Sequence, residues 1–227
     1  MNGVSVQGMV LSVMPVGEYD NRLVLLTTDR GKISAFARGA RKMGSPLSAL
    51  CRPFATGVFT LFEGRTAYTL KEARIQNYFE ALNADMKAVY YGYYFAELAD
   101  YYSREGGEER MTLRLLYCAL SALTKESLTL GLVRAVYELK MLMMNGDYDG
   151  IPRNVSDGAA YTLDFILNTQ PEKLFTFVLS EEVLEEITGY AAFLMGKYIR
   201  RDFSALRILE DMERFSFTEA KKSGTIE

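Results

Sequence analysis

At about Phe79 the apolar pattern of this chain changes period, and that switch constrains the fold more than any single motif. Before it, apolar residues come in short runs rich in β-branched and aromatic side chains: VSVQGMVLSVM, NRLVLLTTD, KISAFARGA, GVFTLF and TAYTLKEARI. The turn signals PVGEYD, DRG and EGR separate them, so each run reads as a strand. After it the spacing is that of helices, as at Leu113, Leu116, Tyr117, Leu120 and Leu123, and it predicts helices over 84–102, 111–125, 129–145, 159–168 and 180–200. Gly106-Gly107, Gly146 and Gly150-Ile151-Pro152 supply the stops.

Between the third and fourth strands lies SPLSAL, where Ser45 is expected to cap a short helix that begins at Pro46. Three strands, a short helix and two more strands make the order of an OB-fold, a five-stranded barrel that binds oligonucleotides on one face. The expected architecture is α+β, an OB-fold β-barrel domain over 1–79 and an all-α helical domain over 80–227. The tail over about 217–227 has weak periodicity and is expected to be disordered.

Charge follows the same boundary. Residues 1–80 hold 10 Lys/Arg against 6 Asp/Glu, net +4, whereas residues 81–227 hold 16 against 23, net −7, which together give the chain its −3. Within the basic part, Arg30 to Phe62 carries six cations (Arg30, Lys32, Arg38, Arg41, Lys42 and Arg52) and no Asp or Glu. Such a division points to a basic module for a polyanion and an acidic remainder for something else.

Composition narrows the chemistry. With 49% apolar residues the chain can bury a core, but it has no histidine, the usual general base, nucleophile activator and metal ligand. Neither a P-loop nor a Gly-x-Gly-x-x-Gly after a strand is present, so no enzyme and no cofactor are expected. No run of about 18 apolar residues lacks a charge, and MNGVSVQGMV lacks the regions of a signal peptide, which predicts a cytoplasmic protein with no membrane partner. Cys51 and Cys118 are far apart and are expected as reduced thiols.

In KISAFAR, strand alternation places Lys32, Ser34, Phe36 and Arg38 on one face and Ile33, Ala35 and Ala37 on the other. A cation, an aromatic ring and a cation in a row suit single-strand binding, with cations tracking phosphates and the ring stacking a base. The bland reading is a solvated face with Phe36 covered by a neighbour. In RGARK, a glycine lets Arg38, Arg41 and Lys42 turn tightly toward one ligand, although charge runs are often merely solvated. Arg22, Arg52, Arg65, Lys71 and Arg74 add cations whose faces the sequence leaves open. The candidate DNA-binding set is Arg22, Lys32, Phe36, Arg38, Arg41, Lys42, Arg52 and Arg65.

Two further clusters read as structural. Tyr90, Tyr91, Tyr93, Tyr94, Phe95, Tyr101 and Tyr102 surround one predicted helix, the pattern of a central buried helix, although base stacking is conceivable. Glu181, Glu182, Glu185 and Glu186 follow Ser180, a good N-cap, and complement the helix dipole rather than bind metal.

Taken together, Gly17-Glu18 with Asp20, Asp29-Arg30-Gly31-Lys32, Arg38-Gly39-Ala40-Arg41-Lys42, Ser45 and Pro53-Phe54 resemble the N-terminal OB domain of the bacterial recombination mediator RecO. The resemblance continues through YYFAELADYY, LLYCALSAL, VYELKMLMMNGDY and YIRRDFSALRILEDM. It implies a protein of DNA repair and recombination that binds single- and double-stranded DNA and anneals complementary strands. The implied partners are RecR and single-stranded DNA-binding protein, with RecA as the protein to be loaded. Many family members carry two Cys-x-x-Cys pairs that bind zinc. Here Asn154-Val155-Ser156-Asp157 stands for the first pair and no cysteine stands for the second, so no metal is expected in a degenerate module over about 147–178. Packing of Tyr161, Leu163, Phe165, Ile166 and Leu167 is expected to hold that segment instead. From the residues alone, an OB-fold RNA-binding factor and a non-catalytic protein-interaction scaffold stand as alternatives.

Overall fold

The computed structural model describes residues 3–222, with the side chains at 213 and 215–222 excepted. Five strands, β1 (Gly3–Val16), β2 (Asp20–Thr27), β3 (Gly31–Ala37), β4 (Thr56–Glu63) and β5 (Tyr68–Asn77), close into a barrel in the order β1-β2-β3-β5-β4. All neighbours are antiparallel except β3 and β5, whose parallel pairing is confined to Ala35 with Tyr68 and Phe36 with Thr69. This is the five-stranded barrel that the strand pattern predicts. Its interior is filled by Val10, Leu23, Leu25, Ile33, Phe59 and Leu61.

The strand neighbours of those residues point the other way. Met9, Leu11 and Leu26 leave the barrel outward and join the core of the helices, so part of β1 and β2 is buried on both faces. The connection from β5 is tight: the Asn77 side chain accepts the Phe79 N–H at 2.8 Å, and Asp85 caps the first long helix by accepting from Lys87 N–H at 2.8 Å.

One local expectation fails. No helix starts at Ser45 and Pro46; a single 3₁₀ turn forms at Ser48–Leu50, without a side-chain cap and with none of its residues buried. Leu47 and Leu50 pack on the barrel core from this short turn, and a stretch this short does not offset the nucleation cost of a full α-helix.

Among the described residues seven α-helices follow: α1 (Met86–Tyr102), α2 (Arg110–Ala122), α3 (Leu130–Met144), α4 (Asp157–Asn168), α5 (Pro171–Leu174), α6 (Glu181–Tyr198) and α7 (Ser204–Lys222). The periodicity marks five of them and misses α5 and α7. Helix α7 is largely polar yet buries Ala205 and Leu209, and it extends into the segment 217–227 expected to be loose; residues 223–227 lie outside the described residues. The Tyr-rich α1 is central, packing against α2, α3, α7 and β1. Tyr94 and Phe95 are fully buried, Phe95 stacks on Tyr137 at 4.2 Å, and Phe203 meets Tyr94 edge-on at 5.4 Å.

The segment 147–178 is held by packing and by capping. Helix α4 buries Ala159, Thr162, Leu163 and Ile166, as the apolar reading anticipates for Leu163 and Ile166. Phe165 is half-buried, edge-on to Phe177. Tyr161 and Leu167, expected to pack, are instead 74% and 38% exposed, because a 12-residue helix lying on a core buries one stripe only. Buried Lys140 donates to the carbonyls of Ile166 (3.0 Å) and Leu167 (2.8 Å), closing the C-terminus of α4. At the other end Ser156 Oγ accepts the Ala159 N–H, and the Ser156 N–H donates to Glu186 at 2.8 Å. Zinc does not fit here: the segment has no thiolate or imidazole, Ser156 serves as a helix cap, and among the described residues no cluster of metal-ligating side chains occurs.

Candidate nucleic-acid interface

The outer face of β3 follows its period of two. Ile33, Ala35 and Ala37 are buried in the barrel, while Lys32, Ser34 and Phe36 are half-buried on its surface. Arg22 of β2 pairs across from Phe36, and its guanidinium reaches along the same face to donate to Ser34 Oγ at 2.9 Å. Beyond the strand, Arg38 is exposed and makes no hydrogen bond or ion pair among the described residues.

The turn after it is clamped to the β1–β2 hairpin. Asp20 accepts the Gly39 N–H at 2.7 Å, and the Arg41 N–H donates to the Tyr19 carbonyl at 2.9 Å. Gly39 has φ +69°, which a residue with a Cβ adopts at a cost. Arg41 reaches the Gly17 carbonyl at 3.2 Å and Lys42 lies 5.3 Å above the Tyr19 ring, both side chains remaining exposed. Arg38, Arg41 and Lys42 are therefore displayed from a fixed backbone.

Next to this turn the barrel opens into a groove of about 860 Å³. Past Phe36 and Ala35 the strands β3 and β5 part, and the α1–α2 loop fills the gap: the Lys32 N–H donates to the Arg104 carbonyl (2.9 Å), the Gly106 N–H to the Arg30 carbonyl (3.0 Å), and Gly31 bridges Glu105. Arg22, Lys32, Phe36 and the exposed Arg65 of the β4–β5 loop line the barrel side; Asp100, Ser103, Arg104 and Glu105 line the helical side. Four of the eight sequence-nominated residues thus share one groove, and Arg38, Arg41 and Lys42 form the turn at the end of its β3 wall.

Lys32 and Arg52 have other commitments. Lys32 Nζ donates to the Asp100 carbonyl at 2.6 Å and pairs with Asp100 Oδ1 at 3.0 Å; Asp100 Oδ2 takes Arg201 at 2.9 Å. Burial pushes the Asp100 carboxyl up, but the hydrogen bonds from Arg201 and Lys32 outweigh it and hold it below the usual carboxylate range. Arg52 stands away from the groove, paired with Glu80 at 3.3 Å and lying 5.3 Å over Tyr78. Sequence reasoning misses Tyr68 and the helical wall. Tyr68 lines the groove and accepts from Arg30 at 2.9 Å, a placement that depends on the short parallel pairing of β5 with β3 and leaves no local trace.

The family model of the recombination protein O N-terminal domain matches residues 1–79, the barrel and its exit. A protein of Clostridium perfringens named DNA repair protein RecO is 25% identical over 89% of this chain and 96% of its own length. One of Acetivibrio thermocellus with the same name is 23% identical over 94% and 99%. Over most of its length the chain is similar to RecO proteins, and its barrel matches the model of their N-terminal domain. A RecO of Alkaliphilus metalliredigens is 34% identical over 63% of this chain, a match that spans 58% of that relative's length. The groove lies on the barrel that the family model covers, while its second wall comes from helices beyond it.

Proposed function

We propose that this protein serves DNA repair by recombination, as the name of its relatives indicates for them, and that its barrel face is the DNA-binding surface. The observation that carries the reading is the run of Arg22, Phe36, Arg38, Arg41, Lys42 and Arg65 along one groove and the fixed turn beside it. Cations track a phosphate backbone and a ring such as Phe36 stacks a base. On this reading residues 1–79 form the DNA-binding domain and 80–227 a helical domain for protein partners, whose net charge of −7 over 81–227 disfavours general DNA binding.

The finer reading is a recombination mediator without catalysis. It anneals complementary strands and, together with RecR, helps load RecA onto single strands coated by their binding protein. Annealing needs no bond chemistry: neutralising phosphates lowers repulsion between strands, and base pairing supplies the free energy. The complete lack of histidine accords with a non-catalytic role. The test is a titration of a labelled single strand at two salt concentrations, followed by competition with unlabelled duplex DNA and with RNA of equal length. Salt-sensitive binding supports the reading. RNA competing better than DNA favours an RNA-binding factor, and a flat isotherm at low salt favours a protein scaffold.

A further inference from the structure

One cation of the groove is already occupied, and by an unusual partner. Lys32, on the β3 wall of the groove at the end nearest the helices, is held by Asp100 from α1 through both the backbone carbonyl (2.6 Å) and Oδ1 (3.0 Å). The same carboxylate has a second cation on its other oxygen, Arg201 Nη1 at 2.9 Å. Arg201 follows α6 and lies 5.8 Å over the Phe203 ring, which keeps it in place independently of Lys32. A carboxylate with two cations can release one without becoming an unpaired, half-buried charge, the state that makes most such pairs costly to break.

We propose that Asp100 occupies, on Lys32, the place that a DNA phosphate takes when a strand enters the groove, and that Arg201 keeps Asp100 paired during the exchange. This rests on the DNA-binding reading above. Arg38, with no partner to give up, then behaves as a full phosphate contact, whereas Lys32 exchanges one anion for another and releases fewer counterions. The helical region thereby sets how strongly the barrel binds, through a single carboxylate 68 residues away from Lys32 in sequence.

The experiment is a double-mutant cycle on the full chain, measuring binding of a labelled single-stranded oligonucleotide across a salt series. Asp100→Asn keeps the shape and removes the charge. It should steepen the slope of log K against log salt by about 0.7 and tighten binding about fivefold at about 0.1 M salt, the share of one additional phosphate. Lys32→Ala should flatten the slope in the wild-type background by clearly less than Arg38→Ala does, and by the full amount of about 0.7 in the Asp100→Asn background. Should Asp100→Asn melt too low to assay, Asp100→Ser removes the same charge with a smaller side chain. The proposal is overturned if the Asp100 variants bind with wild-type slope and affinity, or if Lys32→Ala costs as much as Arg38→Ala in both backgrounds. Failure of the wild-type protein itself to bind would instead remove the DNA-binding reading, a distinguishable result.

Discussion

The barrel and the helices bury their apolar residues by different rules, and they meet along a shared seam. Inside the barrel, alternate residues of each strand pack on one another: Val10, Leu23, Leu25 and Phe59. The helices pack by stripes around α1, and they recruit Met9, Leu11 and Leu26 from the outside of the same strands. One side of the barrel is therefore helical core and another is the cationic groove face. The lesson is that the charge division between the halves does not make them independent bodies. Loop 104–106 even extends the edge of β3, where β5 has left it.

Core truncations are the strongest way to break this comparison. Phe59→Ala empties the barrel and Phe95→Ala the helical core, and each should cost about 3–5 kcal/mol. With the seam intact, both variants should shift one common transition in denaturant, followed by circular dichroism and by tyrosine fluorescence. Two transitions, with Phe59→Ala moving one of them alone, would mean that barrel and helices unfold separately.

Gly31 tests the seam itself. Its φ is +65°, and a Cβ there would meet the Arg104 carbonyl oxygen at 2.0 Å and the Gly107 nitrogen at 2.8 Å. Gly31→Ala must strain the backbone and push the α1–α2 loop off β3, at roughly 1–3 kcal/mol for the backbone conformation alone. Hydrogen exchange should then rise at the Lys32 and Gly106 amides ahead of the rest of the barrel; unchanged protection at both would contradict the bridging role given to this loop.

Two smaller effects separate the contacts within the groove from those outside it. Phe36→Ala should weaken single-strand binding by about 1–3 kcal/mol without changing the salt slope, since stacking releases no counterion. A change in slope comparable to that of an arginine would show that Phe36 acts by supporting the cations. Arg52→Ala removes an exposed pair with Glu80, worth about 0–1 kcal/mol of stability, and should alter the slope of DNA binding less than Arg38→Ala does.

Much of this was legible in the sequence wherever the information is local. Period two placed Lys32, Ser34 and Phe36 together outside the barrel, and the change of period placed α1, α2, α3, α4 and α6. What stayed hidden depends on distant partners. The groove exists because β3 and β5 pair over two residues only, and Lys32 is engaged because Asp100 arrives from α1. Helix α7 was missed although its sequence is amphipathic, with Ala205 and Leu209 on the stripe that joins the helical core.

The account's central claim, that the exposed turn beside the groove is a phosphate track, is tested most directly by replacing Arg38, Arg41 and Lys42 together with Ala and measuring single-strand affinity across a salt series. The wild-type slope of log K against log salt should be on the order of −3, for about four phosphates, and the triple variant should flatten it by about 2 and weaken binding similarly for all sequences. A folded triple variant that keeps both the affinity and the slope would show that this turn is a solvated surface and that DNA, if bound, is bound elsewhere.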